Sequence, residues 1–316
     1  MTIDPGTPDG GPYPDPRRAL LLTLGAILST GLVGVFFFDL GAMAAIGIGH
    51  AIAVGAIATF AAKRVAEPQA DRIGLRGFDP QALPIVLCLV PAVLLASELD
   101  NFATDWSAPQ TEITERFAIE APASDAFEIT VPEENDAQAS QATEPTEPTQ
   151  APELDIDLSD PWTLAQAFVI YVGIAPVVEE FFFRGVLQQS LIARLGLNRG
   201  VAFVALLYTL FHLPAMPVLP RFLLGVIASF GMGCLLGLVR VATGSLLGPI
   251  VLASSWAAIG IASIALENRL PLPGMNVDDT HLPITVAIAS LALVIWAFRA
   301  VYGEAEQRLE REDFGS

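Results

Sequence analysis

Three ionisable side chains stand within six residues of an apolar stretch, Glu179-Glu180-Phe-Phe-Phe-Arg184, and a histidine, His212, closes the next one. Charges are costly in a membrane-spanning segment and are usually functional there. Glu180 and Arg184 are spaced i, i+4, which puts them on one helical face within reach of an ion pair. Glu179 is turned about 100° from Glu180 by the helical repeat, so it lacks the same pairing with Arg184. One carboxylate can therefore be held by the guanidinium while the other is left for proton chemistry, the work of a general base. A buried ion pair that only locks helices together would leave the second carboxylate unexplained. Tyr208, one turn before His212, could donate a hydrogen bond into the same place.

These residues need helices to position them, and the composition supplies them. Of the 316 residues 53% are hydrophobic and only 16% charged, with a mean hydropathy of +0.55; soluble domains carry about 25% charged residues. The apolar residues form runs long enough to span a bilayer. The expected fold is an all-α integral membrane protein with eight spans, near 19–38, 42–62, 82–98, 162–192, 200–219, 222–239, 244–264 and 282–302. Arg194 and Arg199 mark the same end of the fourth and fifth spans. Counting inward, Glu179 and His212 both lie roughly 20 Å from that end at 1.5 Å per residue. Two rare polar positions at one depth on neighbouring helices read as one site.

The expected organisation is a disordered N-terminal tail at 1–18 and three spans at 19–98. An acidic, disordered extracytoplasmic loop follows at 99–160, then a transmembrane core at 161–302 and a cytoplasmic tail at 303–316. Residues 100–160 hold 16 acidic residues against one arginine, Arg116, and so account for most of the net charge of −18. Such a stretch buries too little apolar surface to offset the entropy of ordering it, although Phe127–Val131 alternates like a short strand. Arg17, Arg18, Lys63, Arg64, Arg72, Arg76, Arg194, Arg199, Arg240, Arg308 and Arg311 all fall on one side of the eight-span arrangement. By the positive-inside bias both termini are expected in the cytoplasm, at a bacterial cytoplasmic membrane. The expected partners are membrane lipid and a polypeptide substrate or membrane-protein partner; the scattered arginines and acidic balance argue against nucleic acid. Cys88 and Cys234 lie in apolar runs and read as packing residues. His50, in the second span, reads as a packed or helix-bonded histidine, and His281 as an interfacial one.

The pattern Glu179-Glu180-Phe-Phe-Phe-Arg184-Gly185, with Tyr208-x-x-x-His212 in the next span, resembles the CPBP family of intramembrane proteases. That family includes the CAAX prenyl endopeptidases and the bacteriocin-processing, self-immunity (Abi-like) and lysostaphin-resistance-like proteins. Arg72-Ile-Gly-Leu75 resembles the Gly-Leu element often found upstream, and the likeness covers about 160–265. The resemblance implies peptide-bond hydrolysis in the membrane. Glu179 would activate water, His212 would position that water or bind a metal, and Glu180 and Arg184 would organise the site. Phe183 and Tyr208 would support it. Glu179 and His212 are then the two candidate ligands for a divalent metal such as zinc, which ordinarily takes three protein ligands in a catalytic site.

The chain departs from the family at its third motif. After Ser245-Leu-Leu-Gly-Pro249-Ile250 the expected His and Asn fall on Ala253 and Ala257, and Ser254 and Ser255 offer the nearest hydroxyls. The leading expectation is a metalloprotease-like or metal-free endopeptidase using a glutamate-activated water. The alternative is a catalytically impaired protein of the same fold, acting in immunity or scaffolding. A transporter with Glu179 and Glu180 as proton carriers would call for paired half-repeats, and the sequence has none.

Overall fold

The computed structural model describes residues 11–120, 158–213, 219–267, 269–277 and 279–314. Seven helices in it are long and apolar enough to cross a membrane. In chain order the helices are α1 (Pro16–Phe36), α2 (Ala42–Ala62), the short α3 (Gln69–Ile73) and α4 (Leu83–Leu87), then α5 (Ala92–Glu120) and α6 (Pro161–Leu195). They continue with α7 (Leu197–Phe211), α8 (Leu219–Thr243), α9 (Leu247–Ala265) and α10 (Ile284–Phe314). The apolar stretch Pro80–Trp106, which includes α4, counts as one of the seven. Outward-facing side chains are apolar as well: Leu28 and Leu32 on α1 are 74% and 73% exposed. Such faces fit lipid tails, and the chain is an integral membrane protein.

Three expectations change. The fifth span, expected at 200–219, is the 15-residue α7. At 1.5 Å per residue it is about 22 Å long, short of a hydrocarbon core of about 30 Å. It stops at Phe211 because Pro214 disfavours helical geometry in the residue before it. Residues 11–18 are ordered in the described part. Asp15 caps α1 by accepting from the Arg18 N–H, and Pro16 opens the helix. The carbonyls of Pro12, Tyr13 and Pro14 accept from Arg194, Gln189 and Ser190 on α6. The third span does not end at 98, since α5 continues as helix to Glu120. The strand-like Phe127–Val131 and the rest of 121–157 lie outside the described residues.

Helix α6 positions the site. It is not a uniform α-helix: π-helical stretches at Phe168–Ile174 and Phe181–Leu187 flank Ala175–Glu180. Pro176 has no N–H to give the carbonyl of Val172, so the α-ladder cannot run unbroken past it. Wider turns of this kind are frequent at functional sites. Helix α8 approaches α6 and α7 through glycines. A Cβ on Gly233 would lie 3.1 Å from Ala205 Cα, and one on Gly237 would lie 3.0 Å from Gln188 Oε1. Small residues four apart let membrane helices come this close. The upstream Gly-Leu element packs beneath. Gly74 takes a φ of +87° to end α3, and its carbonyl accepts from Leu246 N–H at the start of α9.

Candidate active site

The α6 pair forms as the spacing predicts. Arg184 Nη1 donates to Glu180 Oε1 at 2.9 Å, with both side chains fully enclosed. Arg184 Nη2 donates to the Gly233 carbonyl at 3.1 Å, tying α6 to α8. Its guanidinium carbon lies 4.3 Å from the Tyr208 ring centroid, a cation–π contact. Phe183 is fully buried and sets its ring edge-on to Tyr208 and Phe211, 5.5 and 5.6 Å between centroids. It supports the site by packing.

Glu179 points elsewhere, as its rotation from Glu180 requires, but it is not free. His212 Nε2 lies 3.1 Å from its Oε2, and His50 Nε2 lies 3.2 Å from its Oε1. His212, at the C-cap of α7, sets its Nδ1 3.0 Å from the Tyr208 carbonyl. His50, in a π-helical stretch of α2, sets its Nδ1 3.1 Å from the Ile46 carbonyl. The expectation of His50 as a packed or helix-bonded residue is therefore incomplete. It is helix-bonded through one ring nitrogen and reaches Glu179 with the other. A single ionisable residue in α2 gives no pattern that sequence reasoning could pair with α6; only the packing of the two helices does so.

A cavity of about 280 Å³ adjoins this cluster, lined by Glu179, Tyr208, His212, Ala253, Trp256 and Ala257 among others. The two alanines, on which the expected third-motif His and Asn fall, thus line the cavity. The Tyr208 hydroxyl makes no hydrogen bond among the described residues, so the expected bond to Glu179 or His212 is absent; its ring packs on His212, 4.2 Å between centroids. Ser254 does not offer its hydroxyl to the site. Its Oγ donates to the Val172 carbonyl at 2.7 Å, the carbonyl that Pro176 leaves without an α-helical donor. Ser255 bonds its own helix at Val251.

Among the described residues no three His, Cys, Asp or Glu side chains form a ligand set. The two imidazoles address different oxygens of one carboxylate, at 3.2 Å for His50 and 3.1 Å for His212. His281, expected at an interface, is 38% exposed. It is bonded to Glu98 and Asp105, 2.8 Å each, and does not line the cavity. Cys88 and Cys234 are both free thiols.

With this geometry in place, residues 161–259, close to a third of the chain, match the family model described as type II CAAX prenyl endopeptidase Rce1-like. Neither a search of curated proteins nor one of solved structures gives a match.

Proposed function

We propose, from the match of residues 161–259 to the type II CAAX prenyl endopeptidase Rce1-like model, that the chain is an intramembrane endopeptidase of the CPBP family. The observation that carries the reading is the Glu179 carboxylate, 3.1 Å from His212 on the wall of a cavity that can admit water and a peptide bond. Glu179 takes a proton from water while the water oxygen forms a bond to the scissile carbonyl carbon. The carbonyl π electrons move onto oxygen. When they return, the C–N bond breaks and the proton passes to the leaving nitrogen. His212 holds the water against the carboxylate. The Tyr208 hydroxyl, unbonded and on the cavity wall, is the donor available to the developing oxyanion. Glu180 and Arg184 fix the α6 turn from which Glu179 projects.

Ala253 and Ala257 favour a second reading, a family member that binds a membrane polypeptide without cleaving it, because α9 brings no hydrogen-bond donor from those positions to the cavity. One assay separates the two. Purified protein in liposomes is offered C-terminally prenylated and unprenylated peptides, with and without chelator. Cleavage that falls by about 100-fold or more in both Glu179→Ala and His212→Ala, and persists after chelation, is the expected result. Cleavage that survives both substitutions would sink the endopeptidase reading. Loss on chelation with recovery on zinc would replace the metal-free mechanism.

A further inference from the structure

His50 lies outside the matched 161–259 segment, on α2, yet it reaches the same carboxylate as His212 from another direction. Each imidazole has its Nδ1 at a backbone carbonyl, which only accepts, so each Nδ1 carries hydrogen. Each Nε2 is then left to face a carboxylate oxygen, at 3.2 Å for His50 and 3.1 Å for His212.

The two histidines are not equivalent. His212 lines the cavity and is 32% exposed, while His50 does not line it and is 16% exposed. A hydrogen bond from His50 therefore does not compete with water on the cavity side. Its place is also well determined: the ring sits edge-on to Phe211, 6.0 Å between centroids. The α2 backbone beside it presses on α1, where a Cβ on Gly49 would lie 3.1 Å from the Thr30 carbonyl oxygen.

We infer that His50 is a positioning residue for Glu179, donating from Nε2 to Oε1 and so leaving Oε2 and His212 to hold the attacking water. The chain thus supplies from α2, behind the carboxylate, the second imidazole that is missing from α9 at Ala253. The inference rests on the hydrolytic reading above, because a positioning role presupposes that Glu179 acts as the base.

The test compares His50→Phe, which removes the donor, with His50→Gln, whose amide nitrogen can take the place of Nε2. His50→Phe is expected to lower kcat by about 100-fold with KM changed less than about twofold, as for a group acting in the chemical step. His50→Gln is expected to recover at least about tenfold of that loss. In ¹⁵N-histidine spectra the His50 Nε2 signal, identified by its absence from His50→Phe, is expected to move in Glu179→Gln. Full activity in His50→Phe, with Glu179→Ala inactive, overturns the role of His50 and leaves the endopeptidase reading intact. So does equal loss in the Phe and Gln variants, or an Nε2 signal indifferent to Glu179. A wild-type protein that cleaves no peptide overturns both.

Discussion

Arg184 shows how much a single residue does inside this bundle. Its side chain is fully buried, and its bonds go to one carboxylate on its own helix and one carbonyl on α8. Glu180 has its second oxygen buried with no partner among the described residues, so its charge depends on Arg184. Removing one member of a buried ion pair is costly because the other is left uncompensated, whereas removing both can be nearly neutral. Arg184→Leu is expected to lose about 3–5 kcal/mol, measured by denaturation in mild detergent, and Arg184→Leu with Glu180→Leu is expected to regain most of it. A double variant as unstable as the single one would show that the pair contributes by packing rather than charge.

At the scale of elements, the site depends on how α6, α7, α8 and α2 meet, and the opposite end of the bundle has its own fastening. His281, just before α10, sets Nδ1 and Nε2 2.8 Å from Glu98 and Asp105 on α5. Both ring nitrogens face carboxylates, so the bridge is complete only as an imidazolium. The hydrogen bonds to Asp105 and then Glu98 raise the His281 pKa above its ordinary value near 6.5. A group with a raised folded-state pKa contributes stability that is fully present below the unfolded value and is lost as pH rises through the folded one. The wild type is therefore expected to exceed His281→Asn in Tm at about pH 6, below the unfolded value, and the difference should shrink as pH rises through the raised folded-state value. The group is solvent-exposed, so the effect should also weaken with salt. A difference that does not change with pH would rule out the bridge.

The whole molecule separates charge by end. Arg194, Arg240 and Arg308 gather with the ordered N-terminal residues at one end, through Arg194 on Pro12, Arg240 on Arg72 and Arg308 on Ala242. Arg221 pairs with Asp100 beside His281 at the other. By the positive-inside bias the arginine-rich end is expected in the cytoplasm. In a background with Cys88 and Cys234 replaced by Ala, a cysteine at exposed Glu306 should react with an impermeant thiol reagent only from the cytoplasmic face. A cysteine at exposed Arg269 should react only from the opposite face. Labelling of both from one side would overturn the orientation.

Much of this was legible before any coordinates. Run length and hydropathy determined a helical membrane protein, because a bilayer demands long apolar helices with satisfied backbones. The Glu180–Arg184 pair was legible because an i, i+4 spacing is a property of one helix, and so was the different direction of Glu179. The equal depth of Glu179 and His212 followed from counting residues along α6 and α7. Other features were not local, and only the tertiary structure decided them. Ser254 serves a carbonyl freed by Pro176 on a different helix, and the N-terminal carbonyls dock on α6 where a free tail was expected. His50 is the clearest case. In sequence it is one ionisable residue in an apolar helix, and only the packing of α2 against α6 sets its Nε2 on Glu179. Contacts within a helix follow from its pitch, but contacts between helices depend on which faces meet, and this sequence carries that information only through the shapes of all the side chains together.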